Sequence, residues 1–134
     1  MYAIPFDVAG PGLALAVAGV GLVVMCVATV VIIALEGVIL WALKWSAFKR
    51  ALLVALVLNV ATTILGFGIV PFTALLGGWG LLIDFILTVL FEGGILLLLK
   101  RGAARENWIA ALATNAASYL LVILPLYLAF GLLN

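Results

Sequence analysis

Apolar residues fill four long stretches of this chain with very few polar interruptions, approximately Leu13 to Leu43, Ala51 to Val70, Trp79 to Leu99 and Trp108 to Phe130. None of them leaves a face for water. A helix crosses a hydrocarbon core of about 30 Å with about 20 residues at about 1.5 Å each. Each stretch therefore predicts one spanning helix, and the fold class expected is an all-α integral membrane protein with four transmembrane helices. The first stretch is too long for an upright span, because about 31 residues make roughly 46 Å of helix. Its early part, with Gly19 and Gly21, is expected to project, tilt or bend.

The polar positions between the stretches orient them. Lys44, Lys49 and Arg50 follow the first, and Lys100, Arg101 and Arg105 follow the third; there are no other cations. By the excess of Lys and Arg in cytoplasmic loops, both clusters are expected in the cytoplasm. The termini and the Pro71 to Gly78 connection are then extracytoplasmic. Trp41, Trp45 and Trp108 beside the basic loops, with Phe72, Trp79, Tyr127 and Phe130 at the other end, suit two interfacial aromatic belts. Residues 1–12 lack a basic n-region and are expected to be an extracytoplasmic stub, with no cleaved signal peptide. Pro5 and Pro11 delay the first helix, and Gly77, Gly78 and Gly80 mark a turn.

Sliding the chain on itself by 56 positions (92 − 36) exposes a repeat. LEGVILWALK, carrying Glu36-Gly37, returns as FEGGILLLLK, carrying Glu92-Gly93. Asn59 and Asn115 follow their glutamates at the same offset (59 − 36 = 115 − 92), and Lys44 matches Lys100. Apolar matches are cheap in such a sequence, whereas coincident Glu, Lys and Asn are not. The expected organisation is two tandem parallel helical hairpins, 13–70 and 79–134, joined by 71–78. Units of equal orientation are related by an axis along the membrane normal. Small residues from Ala110 to Ser118 would let helices approach closely.

Composition narrows the function classes. The chain is 69% hydrophobic and 8% charged, with net charge +1 and mean hydropathy +1.53. That leaves no basic field for nucleic acid. Histidine is absent, so haem or zinc on imidazole, a Ser-His-Asp triad and a histidine relay are excluded for this chain acting alone. Cys26 is single and sits in an apolar run, where it reads as filler. Paired-aspartate hydrolysis inside the membrane is not expected either, since Asp7 falls in the stub and Asp84 stands alone. No enzymatic activity and no cofactor are expected.

What remains is a polar layer. A carboxylate in hydrocarbon costs roughly 2.5–3.5 kcal/mol on insertion scales. Counting from the basic loops places Glu36, Asn59, Glu92 and Asn115 at about one depth, roughly 12–14 Å inside the boundary. Two carboxylates and two amide oxygens would suit a hard cation; neutral or proton-sharing glutamates would load and release protons. Thr62 and Ser118, one turn beyond the asparagines, and Asp84 and Thr88, two and one turns before Glu92, extend the layer as a candidate path. Asp84 has no counterpart in the first unit, where Ala28 aligns, and would be an entry or exit group. The function expected is cation or proton translocation by a small polytopic membrane protein. The alternative is an accessory or structural subunit whose Glu and Asn residues serve as hydrogen-bonding glue between helices. Expected partners are the lipid bilayer and either further copies of the chain or other membrane subunits.

Overall fold

The computed structural model describes the backbone of residues 11–129 and the side chains of 19–129. The expected stub and Phe130 fall mostly or wholly outside that range. Helices occupy nearly all of it: α1 (Pro11–Ala42), α2 (Phe48–Thr73), α3 (Gly78–Leu99), α4 (Ala104–Ser118) and α5 (Leu124–Ala129). A π-helical turn, Tyr119–Ile123, joins α4 to α5, so the last two form one span. Four spans are long and apolar enough to cross a membrane. Each packs along its neighbours in chain order, and α4 returns to α1, closing a four-helix bundle.

Three local features refine the expectations. α1 is uninterrupted from Pro11, where a proline costs no hydrogen bond because the first N–H groups of a helix are unpaired anyway. The connection expected at 71–78 is shorter, because α2 runs through Pro71 to Thr73 and continues as a 3₁₀ turn, Ala74–Leu76. Pro71 removes one N–H from a 26-residue helix and fails to end it. The break comes at Gly77, whose φ of 54° and ψ of −132° suit a residue without a Cβ. The π turn precedes Pro125, which has no N–H for the Leu121 carbonyl. The Leu124 N–H bonds instead to the Tyr119 carbonyl, five residues back.

Between α1 and α2 the chain turns on a Schellman motif. The Trp45 N–H reaches the Leu40 carbonyl and the Lys44 N–H reaches Trp41, both at 2.9 Å, with Lys44 in the left-handed region at φ 57°. This turn delivers Trp45 into the bundle. It does not join the outer belt expected of it: it is buried, and its indole N–H donates to Asn107 Oδ1 at 2.7 Å. The Asn107 amide in turn donates to the Lys100 carbonyl at 2.8 Å. Trp41 and Trp108 remain at the surface, as belt residues would.

The core lies at and below the glutamates, toward these loops. Leu40, Ala51, Ala55, Leu58, Leu96, Ala110 and Ala111 are essentially inaccessible. The glycines beside the glutamates explain the close approach. A Cβ on Gly37 would lie 2.5 Å from Leu52 Cδ2, and one on Gly93 would lie 2.2 Å from the Trp108 ring. α1 thus lies tightly against α2, and α3 against α4.

Candidate functional site

Glu36 on α1 and Glu92 on α3 point into the bundle and are 2% and 1% exposed. Each meets the asparagine 23 residues later. Asn59 Nδ2 donates to Glu36 Oε2 at 2.5 Å and to the Ala55 carbonyl at 2.9 Å. Asn115 Nδ2 repeats this with Glu92 Oε2 at 2.6 Å and the Ala111 carbonyl at 2.9 Å. The amide is a clamp between the glutamate and its own helix. Facing two acceptors, it has to present NH₂ and not its oxygen. In this arrangement the amide nitrogens, and not the oxygens, face the carboxyl groups. No group of three His, Cys, Asp or Glu side chains among the described residues is placed to hold a metal.

Two hydroxyls cross between the helix pairs. Ser118 Oγ lies 2.7 Å from Glu36 Oε1, as donor, and 2.9 Å from the Thr114 carbonyl. Thr62, on α2, sits beside Glu92 while donating to the Leu58 carbonyl at 2.9 Å. The two glutamates are close enough to interact electrostatically. Glu36, Asn59, Glu92, Asn115, Thr62 and Ser118 thus form one cluster. Thr114, within the small-residue run from Ala110 to Ser118, closes it from α4, donating to the Ala110 carbonyl at 2.9 Å.

No cation among the described residues reaches these carboxyls. Among the described residues the one ion pair is Lys100 with Glu106, 2.7 Å apart, at the loop end. Both partners are substantially exposed there, so the pair contributes little stability. Lys100 also lies 5.7 Å from the centre of the Trp45 ring, about two helical turns along the chain from Glu92. No buried side-chain nitrogen or oxygen among the described residues lacks a hydrogen-bond partner.

Asp84 and Thr88 lie away from the cluster, toward the opposite end. Asp84 Oδ2 accepts from Thr73 Oγ1 at 3.0 Å and lines a recess of about 160 Å³ with Thr73, Gly80 and Tyr127. Tyr127, expected in an aromatic belt, is half-buried there. The Thr88 hydroxyl lies 3.5 Å from that of Tyr119, a residue that the polar pattern alone does not single out. Its signal was spacing: Tyr119 follows Ser118 and stands four residues after Asn115. The sequence matches no protein-family model, no curated protein and no solved structure.

Proposed function

We propose that this chain is a small membrane protein that binds and moves protons through the layer of Glu36, Asn59, Glu92 and Asn115. The observation that carries the reading is a charge without a partner. Two buried carboxyl groups lie within electrostatic range of each other in an apolar bundle, and no Lys or Arg among the described residues reaches them. Neutrality in hydrocarbon must come from solution, as a proton or a metal cation. The asparagines present NH₂ groups, which favour a carboxyl over a metal ion. Hydrogen counting at Ser118 favours the same answer. Its hydroxyl has one hydrogen for two acceptors, Glu36 Oε1 and the Thr114 carbonyl. A proton on Glu36 resolves the shortage, since Glu36 then donates to Ser118 and Ser118 to Thr114.

The layer belongs to a duplicated hairpin in this reading. Residues 36, 37, 40, 51, 54, 55 and 58 are buried, and so is each residue 56 positions later. Ser118 opposite Glu36 mirrors Thr62 beside Glu92 (118 − 62 = 56), and Gly93 against Trp108 mirrors Gly37 against Leu52. Burial and polar partners follow the sequence repeat even where residue identities have diverged.

Replacing both glutamates, Glu36→Gln with Glu92→Gln, keeps shape and hydrogen-bonding capacity but removes the titrating groups. The double variant is expected to fold and to lose essentially all pH-gradient-driven proton flux in proteoliposomes. Undiminished flux would reject the reading. A folded wild type with no flux of any cation would favour the second reading, in which the same layer fastens helices within a larger assembly. The complete hydrogen bonding of the buried polar atoms suits that role too.

We infer from the six cations that both basic loops face the cytoplasm. In a Cys26→Ser background, cysteines at the exposed Ala47 and Ala104 are expected to resist an impermeant thiol reagent applied to intact cells. One at Leu75, which is 84% exposed, is expected to react. The reverse pattern would invert the topology.

A further inference from the structure

We propose that in this conformation the acidic layer is open to one face of the membrane, the face carrying Asp84, along a route through Thr88 and Tyr119, and that passage to the other face requires the loop-end plug to open. The proposal rests on the proton-binding reading and adds a direction to it.

Burial divides the bundle unequally about the layer. Toward the loops, Leu40, Leu96, Ala51, Ala55 and Ala111 close the interior, and the Trp45 to Asn107 hydrogen bond lids it. This plug holds no titratable side chain. Beyond the layer in the other direction, the buried residues among those described are Thr73 and Gly80, both at the far end. Between them and the layer the interior is only half-closed.

That half carries the polar groups. Asp84, Thr88 and Glu92 follow one another at four-residue spacing on α3 and so share a face. The recess of about 160 Å³ opens at Asp84. Tyr119 enters from the start of the π turn, and its ring is held edge-on against Phe85, with centroids 5.1 Å apart. Its hydroxyl lies 3.5 Å from Thr88 Oγ1 and within electrostatic reach of both Asp84 and Glu92. Tyr119 stands beside Ser118, which bonds to Glu36. Steps of one helical turn are about 6 Å, too long for direct transfer, so water drawn from the recess completes them. Positions 56 residues earlier, Ala28 and Ile32, match Asp84 and Thr88 and are apolar. The route therefore exists on the α3 side alone, and the duplicated halves differ where a direction is needed.

Hydrogen–deuterium exchange of the buried carboxyl, followed by infrared spectroscopy of the protein in phosphatidylcholine nanodiscs, tests this. The carbonyl band of the protonated acid is assigned by its loss in Glu36→Gln or Glu92→Gln. Thr88→Val and Tyr119→Phe remove one hydroxyl each with little change of shape. Each is expected to slow exchange about a hundredfold, the low end of what a positioned proton-transfer group supplies. Asp84→Asn is expected to slow it too, while Lys100→Gln at the plugged end leaves it unchanged. A band that exchanges at the wild-type rate in Thr88→Val and Tyr119→Phe, or that slows in Lys100→Gln, overturns the route and leaves proton binding standing. Absence of any protonated-acid band overturns both.

Discussion

Among single methyl additions at the helical glycines, Gly80→Ala is expected to cost the most stability, about 3 kcal/mol or more, at the top of the range for overpacking. The new Cβ would stand 1.9 Å from the Thr73 carbonyl oxygen and 2.7 Å from its carbon. Those atoms are backbone at the end of α2, so relief requires moving a helix. Moving it would also part Thr73 from Asp84. Gly93→Ala meets the Trp108 ring at 2.2 Å, but that side chain is at the surface and can swing aside. Gly37→Ala meets the tip of Leu52 at 2.5 Å, with the Leu52 Cα 3.2 Å away. Both should cost about 1–2 kcal/mol. Gly94→Ala meets nothing within 4 Å and should stabilise by up to about 1 kcal/mol through helix propensity. Unfolding of the four variants in mixed micelles gives the order directly. A Gly80→Ala protein as stable as Gly94→Ala would mean that α2 and α3 are not in contact at this point.

That ranking was not legible in the sequence, where Gly80 looked like one of three turn glycines. The difference lies in which glycine faces a neighbouring helix, and hydrophobic pattern carries no such information in a chain that is apolar on every side. Moments and stripes fail when lipid is the solvent. The four spans were legible because length and apolarity decide them. The pairing of Glu36 with Asn59 and Glu92 with Asn115 was legible in part, since equal offsets from a shared turn imply equal depth. Which amide atom faces the carboxyl was not, because it depends on the Ala55 and Ala111 carbonyls. Trp45 was misjudged for a related reason. Tryptophan beside a basic loop reads as an interfacial anchor, and the left-handed Lys44 that turns it inward leaves no trace when the residue is not glycine. Asn107 is not singled out by the 56-residue matches, because the residue 56 positions before it is Ala51.

Asn115→Ala is expected to destabilise the protein more than Asn59→Ala, and the size of the loss reports the charge on Glu92. Asn115 is 1% exposed, whereas Asn59 is half-buried, so a glutamate left by Asn59 has more chance of finding a replacement donor. Removing the amide deprives Glu92 Oε2 of the donor at 2.6 Å. A neutral acid left short of one hydrogen bond costs about 1–3 kcal/mol; an ionised one stripped of its partner in a closed interior costs about 3–5 kcal/mol. Proton binding at the layer predicts the smaller figure. It also predicts that Glu92→Gln recovers little of it, because glutamine needs a partner as a protonated acid does. The cycle of Asn115→Ala, Glu92→Gln and the double variant should give a coupling of about 0.5–2 kcal/mol. A loss near 4 kcal/mol that Glu92→Gln abolishes would show Glu92 to be ionised. The compensating positive charge would then have to be a cation other than a proton, despite amide groups that present hydrogen to it.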